Sequence, residues 1–407
     1  MTKAVFHNKL HFYLALMIAL SLPFVKCTPF FILLMTLNWF LEGQLGYKLN
    51  SILKNKSALL FISLYLIHVL GMLYTQNMKT GWFDLQVKLS ILIFPILLAG
   101  KPLSSKKGIL VYAAFVVGAL AISLYMIARA AYIYYTLEEN IFFYINFSAF
   151  IHPSYLAMYL DFVIALLGIN LLMGNKYFKK IPDIISILLI CFFSLIIILL
   201  SSKSGLFILI VMLICMLSYV VFGLKKYWLG ILSLLVLLIS FAVIAKSQHR
   251  ILGRLDQFVE ALLTYKPEDI DTIESTKIRL RVWESAITII KDNVWIGVGN
   301  GDTKDELMSD YKKRALEYIY SSNLNAHNEF LQVFVGLGLI GFLILMANLL
   351  IPLFIAFKST HWIYIFFLGI IIFNFMTESM LETQAGTMFY AFFNSLLCFE
   401  KRHESQT

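Results

Sequence analysis

Charge is scarce in this chain. Asp, Glu, Lys and Arg make up only 14% of its 407 residues, while 60% are apolar. Soluble domains carry about 25% charged residues, so a soluble globular enzyme is excluded, and so is a disordered chain. Cysteine is nearly missing as well. Cys27, Cys191, Cys215 and Cys398 lie far apart, in or beside apolar runs, which excludes a disulfide framework and a metal centre with cysteine-pair spacing. The net charge of +9 has the sign that suits nucleic acid. Its placement in short connections between apolar runs instead marks a membrane protein, and no nucleic-acid partner is expected.

What the chain does hold is apolar sequence for about twelve spans of ~20 residues. The runs fall at about 11–25, 28–41, 57–75, 83–99, 108–135, 153–173, 182–201, 204–222, 227–246, 327–357, 361–379 and 384–399. Lys3 and Lys9 before the first run suggest a signal peptide. No small-x-small cleavage site follows, however, and Lys26 precedes Cys27, so the run reads as an uncleaved first span. The second run is short and is expected to be tilted or partly re-entrant. With the N-terminus in the cytoplasm, sixteen basic residues fall in cytoplasmic segments and five in the opposite connections and span ends. That split obeys the positive-inside rule. The expectation is an all-α polytopic protein of the bacterial inner membrane with both termini cytoplasmic.

One connection departs from the short loops. Residues 1–246 hold spans one to nine and 327–407 hold spans ten to twelve, leaving 247–326 on the outer face. A structureless loop of that length is disfavoured, and three stripes have helical spacing: Ile251, Leu255, Phe258, Val259 and Leu262; Trp283, Ala286, Ile287 and Ile290; Leu307, Tyr311, Ala315 and Tyr318. Gly297-Val298-Gly299-Asn300-Gly301 between the last two marks a turn. These features predict a helical cap on the periplasmic face.

Three motifs point away from the chemistry. Gly336-Leu337-Gly338-Leu339-Ile340-Gly341 matches the dinucleotide fingerprint, but it sits inside an apolar span without a preceding strand; close helix approach through small residues explains it better. Asp269-Ile270-Asp271 looks like a metal-binding pair but reads as a solvated charge cluster. The Gly297–Gly301 run lacks the Lys-Ser/Thr of a phosphate-binding loop. No cofactor and no metal are expected.

Ionisable residues at outward span ends are the informative set. His327 sits in Asn325-Ala326-His327-Asn328-Glu329 at the start of the tenth span, with polar neighbours able to orient its ring. Arg279 opens Arg279-Leu280-Arg281-Val282-Trp283 in the cap, where a headgroup contact is the plainer role. Lys203, in Ser201-Ser202-Lys203-Ser204-Gly205, is a rare external lysine that either snorkels or holds an anion. Asp161, two turns inside the sixth span, is a functional candidate or a structurally paired acid. Glu378 and Glu382, one helical turn apart by spacing, are similar. Together these groups suit an outer pocket that holds a lipid pyrophosphate and activates a hydroxyl.

At this point the chain resembles the O-antigen ligase and O-antigen polymerase superfamily, and a ligase most. The resemblance is carried by Arg279-Leu280-x-x-Trp283, the Gly297–Gly301 turn and Ala326-His327-Asn328-Glu329-Phe330-Leu331 leading into Gly336-x-Gly338-x-x-Gly341. It implies a C-type glycosyltransferase membrane fold and metal-independent, inverting transfer of a glycan from an undecaprenyl-pyrophosphate donor to lipid A-core. By that resemblance His327 is the essential histidine and Arg279 a pyrophosphate ligand. Lys203 stands where the family more usually has arginine, and Arg281 is offset by two positions. Asn325, Asn328, Glu329, Asp161 and Trp283 are supporting candidates. The same superfamily includes O-antigen polymerases and protein O-oligosaccharyltransferases, and a lipid-linked glycan flippase is the alternative from another class.

Overall fold

The computed structural model describes residues 3–174, 178, 181–223, 225 and 275–401, and among them the regular elements are all helical. In chain order these are α1 (Lys3–Ser21), α2 (Thr28–Leu41), α3 (Leu45–Lys54), α4 (Lys56–Gly71), α5 (Met78–Gly100), α6 (Ser105–Leu137), α7 (Tyr144–Phe147), α8 (Pro153–Leu172), α9 (Asp183–Leu200) and α10 (Lys203–Ser218). After residue 274 come α11 (Ser275–Asp292), α12 (Thr303–Lys313), α13 (Glu317–Ser321), α14 (Glu329–Lys358), α15 (Trp362–Thr377) and α16 (Gln384–Phe399).

Eleven of the twelve apolar runs fall on helices; 227–246 lies outside the described residues, as do the Ile251–Leu262 stripe and Asp269-Ile270-Asp271. Among the described residues, seven helices are long and apolar enough to cross a membrane, or eight if α3 and α4 count together, with their 91° bend. This is the make-up of a multi-pass membrane protein. α2, α15 and α16 are apolar but have only 14, 16 and 16 residues. At 1.5 Å per residue they rise less than a ~30 Å hydrocarbon core.

Two helices form the centre. Pro153 to Asn170 is buried throughout α8, and all but two residues of α16 are buried. Phe115, Tyr159, Phe162, Phe367, Phe389 and Phe393 interlock there edge-to-face or tilted, with Tyr159 stacked on Phe389. In lipid such contacts supply packing energy that water exclusion does not.

The segment between the bundle halves builds a small core of its own from Ile278, Val282, Ala286, Ile289, Leu307, Tyr311, Leu316 and Ile319. Its phase differs from the sequence expectation in α11: Ile287 is exposed, and Ile278, Val282 and Ile289 take the inner line beside Ala286. α12 buries Leu307 and Tyr311 but ends at Lys313. The chain then turns through Ala315 at φ 55°, so Ala315 and Tyr318 face outward and Leu316 and Ile319 close the core.

The two glycine motifs meet in one joint. α14 breaks at Gly338 (φ 63°, ψ −162°), which frees backbone groups that lipid could not satisfy. The Gly297–Gly301 turn supplies partners: the Val298 and Gly299 amides donate to the Val335 and Gly336 carbonyls at 2.9 Å each, and the Leu339 amide donates to the Val294 carbonyl at 2.7 Å. A Cβ on Gly338 would lie 2.4 Å from the Trp295 carbonyl carbon, and one on Gly297 2.5 Å from that of Gly336. The expected close approach is therefore real, but its partner is the backbone of a turn and not another helix.

Gly338→Ala should cost at least about 2 kcal/mol through positive φ and overpacking, lowering the thermal midpoint in detergent. Gly369→Ala, where an added Cβ meets nothing within 4 Å, is the control; equal midpoints would mean the joint contributes nothing.

Candidate active site

His327 sits in the connection between α13 and α14 at φ 44°. The Asn325 side chain stabilises that left-handed turn, its Oδ1 accepting the His327 amide at 3.1 Å. Trp283 Nε1 donates to the Ala326 carbonyl at 3.1 Å, pinning the same turn to α11. Asn328 caps α14 by accepting the Leu331 amide at 3.1 Å, and its Nδ2 donates to the Met376 carbonyl at 3.1 Å. Glu329, buried in the first turn of α14, accepts the Leu381 amide at 2.8 Å. Each polar neighbour of the histidine thus fixes backbone, either of its own turn or of the end of α15 and the connection that follows it.

That connection carries the centre of the cluster. Glu378 Oε2 lies 2.8 Å from His327 Nδ1, and its Oε1 accepts from Arg279 Nη2 at 2.7 Å. The carboxylate side chain is 11% exposed, whereas the imidazole and guanidinium keep 28% and 26%. Burial pushes the Glu378 carboxyl up, but the hydrogen bond from His327 and the Arg279 charge outweigh it and hold the group below the ordinary glutamate range. A carboxylate is an acceptor only, so Nδ1 must carry a proton, and in the neutral ring Nε2 keeps its lone pair. His152, the cap of α8, joins the same electrostatic field. Burial lowers its basicity, Glu378 raises it, and His327 and Arg279 lower it again.

The remaining candidates divide. Lys203 Nζ donates to Thr276 Oγ1 at 3.2 Å, which places its charge one α11 turn before Arg279. Gly205 lets α10 approach α8 there, since a Cβ would lie 2.5 Å from the Ala157 Cβ. Arg281 does not join this group. In the regular α11 it points about 200° round from Arg279 and lies 3.6 Å from Glu284. Asp161 is fully buried in α8, its carboxylate oxygens without a hydrogen-bond partner among the described residues, and it meets none of the cluster. Glu378 and Glu382 do not share a helix turn. α15 ends at Thr377, Glu378 is extended, and Glu382 closes a short 3-10 turn.

Residues 187–346 match the family model described as O-antigen ligase. Over that stretch, which is less than half of its length, the chain is similar to the O-antigen ligase superfamily. An uncharacterized protein of Haemophilus influenzae (strain KW20 Rd) is 34% identical over 134 residues, 30% of this chain and 32% of that one. The match spans about a third of the relative's length. The superfamily segment contains Lys203, Arg279, Trp283 and His327, but Glu378 lies beyond it. Sequence reasoning noted Glu378 only as one of two span-end acids. The signal for it was electrostatic: a cation and an imidazole placed at a lipid boundary need a nearby counter-charge.

Glu378→Gln tests the bridge. A carboxyl held below its ordinary value of 4.5 contributes stability that is complete above that value and is lost as pH falls through the lowered one. Wild type should therefore exceed Glu378→Gln in thermal midpoint near neutrality, and the gap should close only as pH falls below 4.5. A gap independent of pH would refute the ionic bridge.

Proposed function

We propose that the chain transfers a glycan from an undecaprenyl-pyrophosphate carrier to an acceptor hydroxyl, as an O-antigen ligase whose acceptor is a sugar of the lipid A core. The observation that carries this reading is the single buried carboxylate that holds an imidazole and a guanidinium side by side. Glu378 orients the His327 ring through Nδ1 and stabilises the imidazolium as it forms, while Nε2 takes the proton of the attacking hydroxyl. The acceptor oxygen bonds to the anomeric carbon with inversion, and the bond to the diphosphate oxygen breaks, the electron pair leaving with the diphosphate.

Arg279 and Lys203 neutralise that leaving group, so neither a protonating acid nor a metal is required. Arg279 engages Glu378 through Nη2 and has a buried Nε without a hydrogen-bond partner among the described residues, leaving donors for phosphate oxygens. Such electrostatic help is worth about 3 kcal/mol per well-placed donor. Lys203 supplies charge but not the two-pronged geometry of arginine. The helical cap excludes water so that transfer prevails over hydrolysis.

The site faces the periplasm in this reading, on the inner membrane with cytoplasmic termini. Lys54, Lys56, Lys101, Lys106, Lys107, Lys358 and Lys401 gather where α4, α6, α14 and α16 meet the opposite end of the bundle, as the positive-inside rule requires of a cytoplasmic face. In this reading the short apolar helices count as spans of a twelve-span, C-type arrangement.

With purified protein and an undecaprenyl-pyrophosphate glycan, His327→Ala should abolish transfer to lipid A-core, and Arg279→Ala should weaken donor capture. Full transfer by His327→Ala would remove the histidine from the mechanism. In cells lacking the gene, long polymer stranded on the carrier supports a ligase. Single repeats on the carrier would indicate a polymerase instead, and donor confined to the cytoplasmic leaflet a flippase.

A further inference from the structure

We infer that Lys88 is a positioning residue for this site, holding the connection that carries Glu378 in register with the docked cap. Lys88 lies in α5 and is 1% exposed. Its Nζ pairs with Asp84, one turn earlier, and with Glu382 Oε1 at 2.7 Å. The other Asp84 oxygen accepts from Asn300 Nδ2 at 2.6 Å, and Asn300 belongs to the glycine turn that docks on the break in α14. Glu382 lies four residues beyond Glu378 on the same connection, and Glu329 secures the middle of it through the Leu381 amide. The Asp84–Lys88 pair thus ties α5 both to the turn that seats the cap, through Asp84, and to the segment that presents the carboxylate to His327 and Arg279, through Lys88.

The balance of charge gives Lys88 more than a packing role. Asp84, Glu382 and Glu329 act on one another electrostatically around a single ammonium. Asp84 and Glu382 both contact the one ammonium, so removing it leaves two acids facing each other between α5 and the connection. Relief comes from moving the connection, which unlike α5 is not held in a long helix and which continues directly into Glu378. A shift of about 1 Å at the orienting carboxylate costs up to roughly 100-fold in rate, while the cations that bind the donor, on α10 and α11, stay where they are. Lys88 touches neither His327 nor Arg279 and acts through Glu382.

The inference rests on the glycosyl-transfer reading, and the test separates the two. In the purified full-length protein, Lys88→Met should lower kcat by about 10- to 100-fold with the donor KM within about twofold, and Lys88→Arg should restore part of the loss. The double variant Lys88→Met/Glu382→Gln removes the unpaired charge. It should recover most of the thermal midpoint while kcat stays low, because the tether is still absent. If kcat recovers together with stability, Lys88 only helps the protein fold and the inference fails. A readout independent of substrate is thiol labelling of Ser379→Cys, which replaces a buried side chain of the connection. Labelling should quicken when Lys88→Met is added, and an unchanged rate overturns the inference even if the wild type transfers no glycan. Absence of transfer by the wild type counts against the glycosyl-transfer reading alone.

Discussion

A buried carboxylate between two exposed-edge partners is the constraint on which this structure depends. In the low dielectric beside a membrane, a guanidinium and an imidazole placed together repel once the imidazole is protonated, and each is costly without a counter-charge. Glu378 resolves both problems with its two oxygens. It also sets which face of each partner remains available, because the atoms that touch the carboxylate are those turned inward. The polar residues around it secure backbone and do not compete for the same atoms.

The glycine motifs have a related logic. A helix broken inside a membrane exposes amides and carbonyls that lipid cannot satisfy, yet α14 breaks at Gly338 and loses little, because the Gly297–Gly301 turn supplies the missing partners. Only residues without a Cβ allow backbone to approach backbone this closely. The motif that imitates a dinucleotide fingerprint and the motif that imitates a phosphate loop are two halves of a structural seam.

Much of this was legible in the residues. The apolar runs located the helices, and the order Arg279, the Gly297–Gly301 turn, then His327 pointed to the superfamily. Lys203 contacts Thr276, one α11 turn before Arg279, so these two candidates from the sequence lie near each other. The phase of α11 was not legible, since Ile287 and Ile289 are equivalent by type and only the cap core chooses between them. Arg281 was indistinguishable from Arg279 until the helix register was known. The bridging role of Glu378 was hidden by distance: 99 residues separate it from Arg279 and 51 from His327, and a four-residue spacing to Glu382 imitates a helix turn where the chain is extended.

The discontinuity in α14 also has a mechanical consequence. Everything from Glu329 to Leu337 is fastened to the cap and to the α15–α16 connection, whereas the remaining twenty residues form a shaft along the bundle. The break at Gly338 lets the two pieces run in different directions. A shaft meeting a thinner or thicker bilayer would lean from a fixed seat, because backbone bonds on both sides of Gly338 hold the break to the cap turn.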